Sequence, residues 1–273
     1  MAERTVGLLH PGEMGAAVGA VLRGSGHCVV WASEGRSSET RARADGAGLE
    51  DVGTAAEVAR CEVVFSVCPP HAAQDVARSL GAFEGIYVDA NAVSPATARK
   101  VEAIVRGADF VDGGIIGPPP REAGTTRLYL SGERAETVRE LFAGSSLEAR
   151  VVENASAVKM AYAAWTKGSA ALLLAVRELA RAEGVEPTLL AEWELSLPDL
   201  IERSQRAARS AEAKGWRWVG EMEEIAATFE AAGLPGGFHE AAGEIYRRLT
   251  VYKDAATPPT MADLVGPLTR PSA

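Results

Sequence analysis

The sequence predicts an α/β domain with a parallel sheet, followed by an all-helical domain. Three observations carry that reading. Short β-branched runs alternate with helical lengths through the first half, a glycine-punctuated turn follows the first run, and no convincing strand returns after Asn154. Strands separated by helices imply a parallel sheet covered on both faces.

In chain order the strand-forming runs are TVGLL (5–9), HCVVW (27–31), EVVFSV (62–67), GIYVDA (85–90), DFVDGG (109–114), TTRLYLSG (125–132) and LEARVVE (147–153). Between them lie helix-compatible stretches at 37–44, 55–60, 71–80, 95–105 and 134–142. The second half opens with a long apolar helix over 155–183, ended by Gly184 and Pro187. Further helices are expected over 188–209, 216–232 and 239–252, with GLPGG (233–237) separating the last two. The Pro-rich tail, residues 257–273, reads as an extended arm. The predicted division is therefore an α/β domain over 1–153 and a helical domain over 154–273.

Bulk composition narrows the function. The chain has 273 residues, 47% of them hydrophobic and 24% charged, which is enough apolar material for two cores. The net charge of −9 comes with no basic stripe, so nucleic acid is not an expected partner. Cys28, Cys61 and Cys68 are too few and too irregular for a disulfide framework or a zinc site, and no metal is expected. The first residues lack an apolar signal core, and the most apolar stretch, MAYAAWTKGSAALLLAV, contains Lys167. It reads as a buried helix and not a membrane span, so a cytoplasmic protein is expected.

The turn after the first strand carries the most chemistry. In GLLHPGEMG, the frame His10-Pro11-Gly12-Glu13-Met14-Gly15 stands where a dinucleotide fingerprint has G-x-G-x-x-G. Gly12 and Gly15 occupy the positions that admit the pyrophosphate and pack the helix on the strand; the first glycine is a histidine. Pro11 fixes φ and bends the chain by other means, and the following helix start remains available to an anion. The expected cofactor contacts are Pro11, Gly12, Glu13, Met14 and Gly15. At the tip of the second strand, Glu34 offers a carboxylate to a ribose 2′-hydroxyl, the NAD arrangement. Ser33, Arg36 and Ser37 cluster at the same tip and offer a grip on a 2′-phosphate. The second arrangement favours NADP, with NAD as the alternative.

Together with later segments these motifs resemble the β-hydroxyacid dehydrogenase superfamily, which includes 3-hydroxyisobutyrate dehydrogenase, 6-phosphogluconate dehydrogenase and the imine reductases. FSVCPP resembles the family's loop after the fourth strand, which implies cofactor contacts from Cys68, Pro69 and Pro70. VDANAVSP resembles its Asp-x-Ser-Thr-x-x-Pro loop and places Asn91 near the nicotinamide. VDGGIIGPPP resembles its substrate loop, and NASAVKMAYAAWTKG its interdomain helix with the catalytic lysine. The residues beyond resemble an uncharacterised C-terminal domain of 6-phosphogluconate-dehydrogenase-like bacterial proteins. The resemblance implies a homodimer through the helical domain. Departures from the family weigh against a phosphogluconate-like acid. Ile116-Gly117-Pro118 replaces Ser-Gly-Gly, Ala163 replaces an Asn, and Thr166 replaces the Glu of the decarboxylating enzymes.

The implied activity is hydride transfer between a nicotinamide and the alcohol or carbonyl carbon of a small hydroxy acid or related compound. Lys159 would act as general acid/base. Tyr162 and Thr166, at i+3 and i+7, share its helix face. Tyr162 is the second catalytic candidate; Ile116, Gly117, Lys159, Tyr162, Thr166 and His239 are the substrate-side candidates. A packed His239 and a solvated Glu221/Glu224 face are the plainer readings of those residues, and Lys167 reads as a surface or interface charge. Imine reduction on the same scaffold, or cofactor binding without turnover, are the competing functions.

Overall fold

Residues 3–253, together with Leu268, are described by a computed structural model of the chain. The expected arm over 257–273 lies outside the described residues, apart from Leu268. The chain divides between Met160 and Ala161 into two compact units.

The first unit is an eight-stranded sheet in the order β3-β2-β1-β4-β5-β6-β7-β8. Its strands are β1 (Thr5–Leu8), β2 (Cys28–Trp31), β3 (Glu50–Asp51), β4 (Val63–Ser66), β5 (Ile86–Asp89), β6 (Asp109–Ile116), β7 (Thr126–Ser131) and β8 (Leu147–Val151). All neighbours are parallel except β6 and β7. The helices are α1 (Glu13–Gly24), α2 (Ser38–Gly46), α3 (Ala55–Val58), α4 (Ala73–Leu80), α5 (Pro95–Ile104) and α6 (Ala135–Glu140). A short 3₁₀ turn, Pro70–Ala72, precedes α4.

The two-residue period of a strand sorts the core into two layers. Val6, Leu8, Val29, Trp31, Val63, Phe65 and Val88 pack on one face with Val18 and Leu22 of α1, Val138 of α6 and Leu141 just beyond it. Val30, Val64 and Tyr87 face the other way, against Val58, Val76, Leu80, Ala98 and Val101 of α3, α4 and α5. β1 lies so near α3 that a Cβ at Gly7 would stand 2.5 Å from the Val58 side chain. Ser37, Thr54 and Ser94 cap α2, α3 and α5, each accepting from the backbone N–H three residues on.

The second unit is helical among its described residues. Helix α7 (Ala155–Ala182) begins in the first unit and continues into it, followed by α8 (Glu186–Ser196), α9 (Asp199–Ala231), α10 (Gly237–Arg248) and a 3₁₀ turn, Leu249–Tyr252. Two expectations are corrected here. The helix expected over 188–209 breaks at Leu197-Pro198, because proline lacks the N–H a helix interior needs and restricts the residue before it. After that break the chain stays helical for 33 residues, joining two segments that composition had separated. Gly215 and Gly220 are accommodated inside α9, at the propensity cost expected of glycine.

A partly buried ionic cluster ties α7, α8 and α9. Arg177 donates to Glu186 Oε1 through Nε (2.9 Å) and Nη2 (2.6 Å), and through Nη1 to Ser204 Oγ (2.9 Å). Lys167, expected as a surface or interface charge, instead pairs with Glu221 in the interior of the unit, and its carbonyl accepts from Tyr246 Oη (2.6 Å).

Candidate functional site

Parallel sheets bind ligands beyond the carboxyl ends of their strands, where the strand order reverses. Here the reversal lies between β1 and β4. The turn from His10 to Gly15 leaves β1 at that point, and the loops after β4 and β5 rise beside it.

Gly12 and Gly15 differ in what requires them. A Cβ at Gly15 would stand 2.4 Å from the His10 carbonyl oxygen, so the fold itself demands glycine. Gly12 has an ordinary extended backbone (φ −66°, ψ −170°), and a Cβ there would meet only the His10 ring at 3.6–3.7 Å. Nothing within the fold calls for glycine at 12. Having no side chain, it also leaves the start of α1 without a side-chain cap. Of the other expected contacts in the turn, Met14 packs partly against the core, Pro11 is buried, and Glu13 opens α1 as an acid in its first turn.

The tip of β2 folds back onto this turn. Arg36 donates through Nη2 to the Leu9 carbonyl (3.1 Å) and pairs through Nη1 with His10 Nδ1 (3.1 Å). Burial, then the Arg36 and Arg43 charges, lower the His10 pKa, so the imidazole stays neutral and accepts at Nδ1. Ser33 is buried and its carbonyl accepts from Arg41 Nη2 (2.8 Å); Ser37 caps α2; Glu34 is exposed. Of the four residues expected at this tip, Arg36 is the one whose side chain reaches back to the glycine turn.

Asn91 organises the neighbouring loop. Its Oδ1 accepts from Cys68 N (2.6 Å), its Nδ2 donates to Ser66 Oγ (3.0 Å), and its own N–H donates to Asp89 Oδ1 (3.1 Å). The amide is 2% exposed, so it shapes the Cys68-Pro69-Pro70 loop from beneath. Burial pushes the Cys68 thiol up to about 12, which leaves it protonated and unreactive at neutral pH.

Lys159 is placed by β6. A Cβ at Gly114 would stand 2.9 Å from Lys159 Cβ and 3.0 Å from the Ala155 carbonyl, so DGG in the sixth strand is what lets α7 start against it. Lys159 Nζ donates to the Ile115 carbonyl (2.7 Å). Asp112 anchors the helix start: its Oδ2 accepts from Ser156 N (2.8 Å) and Ser131 Oγ (3.2 Å), while Ser131 Oγ accepts from Ala155 N (3.0 Å). Burial raises the Asp112 pKa despite these donors, and its Oδ1 is buried without a hydrogen bond. Asn154 Oδ1 adds a cap through Ala157 N (2.9 Å). Ile116 is buried at the end of β6, and Gly117 (φ +125°) is demanded by the turn, where a Cβ would stand 2.3 Å from the Thr125 carbonyl.

Three substrate-side candidates belong to the second unit. Tyr162 is half exposed, and Thr166 Oγ1 donates back to the Tyr162 carbonyl (3.1 Å). His239 is 5% exposed, its ring packed on Phe229 (centroids 4.2 Å apart) and edge-on to Phe238 (5.2 Å). Burial lowers its pKa. Its setting is that of the packed histidine. Glu221, expected on a solvated face, is the partner of Lys167.

Residues 180–249 match the model of a domain of unknown function, DUF1932. An uncharacterised 28.5 kDa protein of Methanothermus fervidus is 34% identical over 163 residues, 58% of this chain. The chain spans 63% of that relative's length. A solved structure of a conserved protein of unknown function, described as structurally similar to 3-hydroxyacid dehydrogenases, is 31% identical. That match covers 91% of this chain and 97% of the other, with a TM-score of 0.68. The chain belongs to the β-hydroxyacid dehydrogenase superfamily. At lower identity the fold extends further within this group. Mycobacterium tuberculosis 3-hydroxyisobutyrate dehydrogenase, solved with L-serine, matches at 18% identity and TM-score 0.70, covering 98% and 100% of the two chains. A reductive aminase of Aspergillus terreus, solved with NADPH and ethyl levulinate, matches at 18% identity and TM-score 0.56, covering 97% and 99%.

Against this superfamily, two features of the site escape sequence reading. One is the His10–Arg36 pair, which joins residues 26 apart and carries no pattern. The other is the Asp112–Ser131–Ser156 anchor, whose members lie on three separate elements. Among the described residues no three His, Cys, Asp or Glu side chains are grouped to hold a metal ion, and no helix is long and apolar enough to cross a membrane.

Proposed function

We propose that the protein is an NAD(P)-dependent oxidoreductase that interconverts the alcohol and carbonyl forms of a small hydroxy acid or related compound. Gly12 carries this reading. It is a glycine the fold does not need, at the helix start where the sheet order reverses, and the close approach of a pyrophosphate is what would require it. Pro11 to Gly15 would hold the pyrophosphate, the Cys68–Pro70 loop would border the nucleotide, and Arg36 would meet a 2′-phosphate, which favours NADP. When bound, the reduced nicotinamide supplies a hydride.

Lys159 supplies the proton. Its ammonium is held at the carboxyl end of β6 by the Ile115 carbonyl, on a helix start fixed by Asp112. An ammonium so placed can protonate the oxygen that develops on a reduced carbonyl, and can recover a proton in the reverse direction. Lys159→Ala should lower turnover by about 10²–10⁴-fold, the usual worth of a positioned acid, with NADPH affinity unchanged. Lys159→Arg should not restore it, because guanidinium does not release its proton near neutral pH. Tyr162, half exposed one turn further along α7, supports a second reading, imine reduction. A panel of keto acids, hydroxy acids and cyclic imines, run with Lys159→Ala and Tyr162→Phe, separates the two. Loss confined to Tyr162→Phe on an imine would replace the lysine mechanism. Nucleotide binding with no turnover on any substrate would leave a binding protein.

The helical unit is further proposed to pair with a second copy. Trp165, Leu172 and Leu179 recur every seven residues on α7 and are 67%, 49% and 63% exposed, a stripe of large apolar side chains two turns apart.

A further inference from the structure

The position that departs from the fingerprint is where the structure says most. His10 replaces the first glycine, and its imidazole lies between Gly12 and Arg36: ring atoms would be 3.6–3.7 Å from a Cβ at 12, and Nδ1 is 3.1 Å from Arg36 Nη1. Arg36 comes from the loop after β2, a segment free to point its guanidinium at solvent. Instead the group is drawn onto the end of β1 by two acceptors, His10 Nδ1 and the Leu9 carbonyl. A guanidinium has five N–H donors in one plane. Fixing one on each terminal nitrogen fixes the plane, and of the three N–H groups left over, that on Nε is buried without a partner.

We propose that His10 is a positioning residue that holds Arg36 at the glycine turn and so sets the preference for a dinucleotide carrying a 2′-phosphate. This rests on the reading of the turn as a nucleotide site and of Arg36 as the phosphate contact. A neutral imidazole suits the task. It accepts from the arginine at Nδ1, whereas an imidazolium would repel it and have no acceptor to offer. Glycine, the residue usual at this place, would free the turn sterically but leave Arg36 with one acceptor. The guanidinium would then have to be ordered when the nucleotide binds. Ordering one rotamer-rich side chain costs about three- to tenfold in affinity, and the penalty falls only on the ligand that Arg36 touches. The departure from the fingerprint thus gives up a standard turn residue and gains a pre-organised cation.

Direct titration of NADPH and NADH by fluorescence, with no substrate present, tests this on the full chain. His10→Gly should weaken NADPH by about three- to tenfold while leaving NADH within about twofold. His10→Asn, whose Oδ1 can accept where Nδ1 did, should return most of the NADPH preference. His10→Leu, which keeps bulk without an acceptor, should behave as the glycine variant, and serves if that variant melts at a lower temperature. Arg36→Ala is the control for the underlying reading, and should lower the preference at least as far as His10→Gly. If Arg36→Ala lowers the preference and His10→Gly and His10→Leu do not, His10 has no such role and the phosphate reading stands. If Arg36→Ala leaves the preference unchanged, both fall.

Discussion

Gly114 and Lys159 meet at a distance only glycine allows, with a Cβ at 114 projected 2.9 Å from the lysine Cβ and 3.0 Å from the Ala155 carbonyl. The contact fixes how near the start of α7 lies to β6. Gly114→Ala would force that start outward. Overpacking of this kind costs about 1–3 kcal/mol, and the Lys159–Ile115 hydrogen bond would be disturbed with it. Denaturant unfolding should report the stability loss. Turnover should fall by more than the unfolded fraction explains, and an unchanged specific activity in the folded variant would disconnect Gly114 from the site.

Asp112 makes stability depend on pH in a direction set by burial. Its folded pKa is raised, so the folded chain keeps the proton to higher pH than the unfolded chain does. The contribution is full below the unfolded value, about 3.9, and is lost as pH rises through the raised value. Asp112→Asn keeps an oxygen to accept from Ser156 and Ser131 and removes the charge. The variant should gain stability relative to the parent between pH 4 and pH 7, read by urea unfolding at both. A difference that is constant, or that shrinks with pH, would contradict the assignment.

Arg177 is the least replaceable cation among the described residues of the helical unit, since it serves Glu186 and Ser204 at once with its side chain 10% exposed. Arg177→Ala leaves the partly buried Glu186 with Arg181 as its remaining partner (3.4 Å) and should cost about 1.5–3 kcal/mol, the worth of hydrogen bonds to a charged group. The combined change Arg177→Met with Glu186→Leu should be milder, because both charges leave together. Equal losses would indicate that packing, not charge, dominates at this point.

The stripe of Trp165, Leu172 and Leu179 predicts self-association. Light scattering at micromolar concentration should give twice the chain mass, and Leu172→Glu should shift it towards one. A monomer with full activity would rule the pairing out.

Much of this was legible in the sequence for physical reasons. Short β-branched runs made each central strand visible, because strands covered on both faces are apolar at successive positions. The glycine turn was legible because Gly15 meets a backbone oxygen that tolerates nothing else. β3 was not, since two exposed acidic residues carry no strand pattern. The long reach of α9 was hidden by Gly215 and Gly220, whose helical state is set by tertiary packing over local preference. In the site, Lys159 and the turn were placed by motif. The partners that aim them were not, because Asp112, Ser131 and His10 act on residues distant in sequence and only the fold brings them together. His239 shows the reverse: a histidine stands out in a sequence, yet here its surroundings are two phenylalanines.

The central claim is that the turn from Pro11 to Gly15 receives a dinucleotide, and Gly12→Val tests it most directly. The substitution is compatible with the extended backbone at 12, and its Cβ meets nothing tighter than the His10 ring, so the variant should fold, with a loss of about 1 kcal/mol at the α1 N-cap. Fluorescence titration of that variant should show NADPH and NADH binding both lost, because the branched side chain would occupy the space a pyrophosphate needs. A folded Gly12→Val protein that binds NADPH with the parent's affinity would contradict the account.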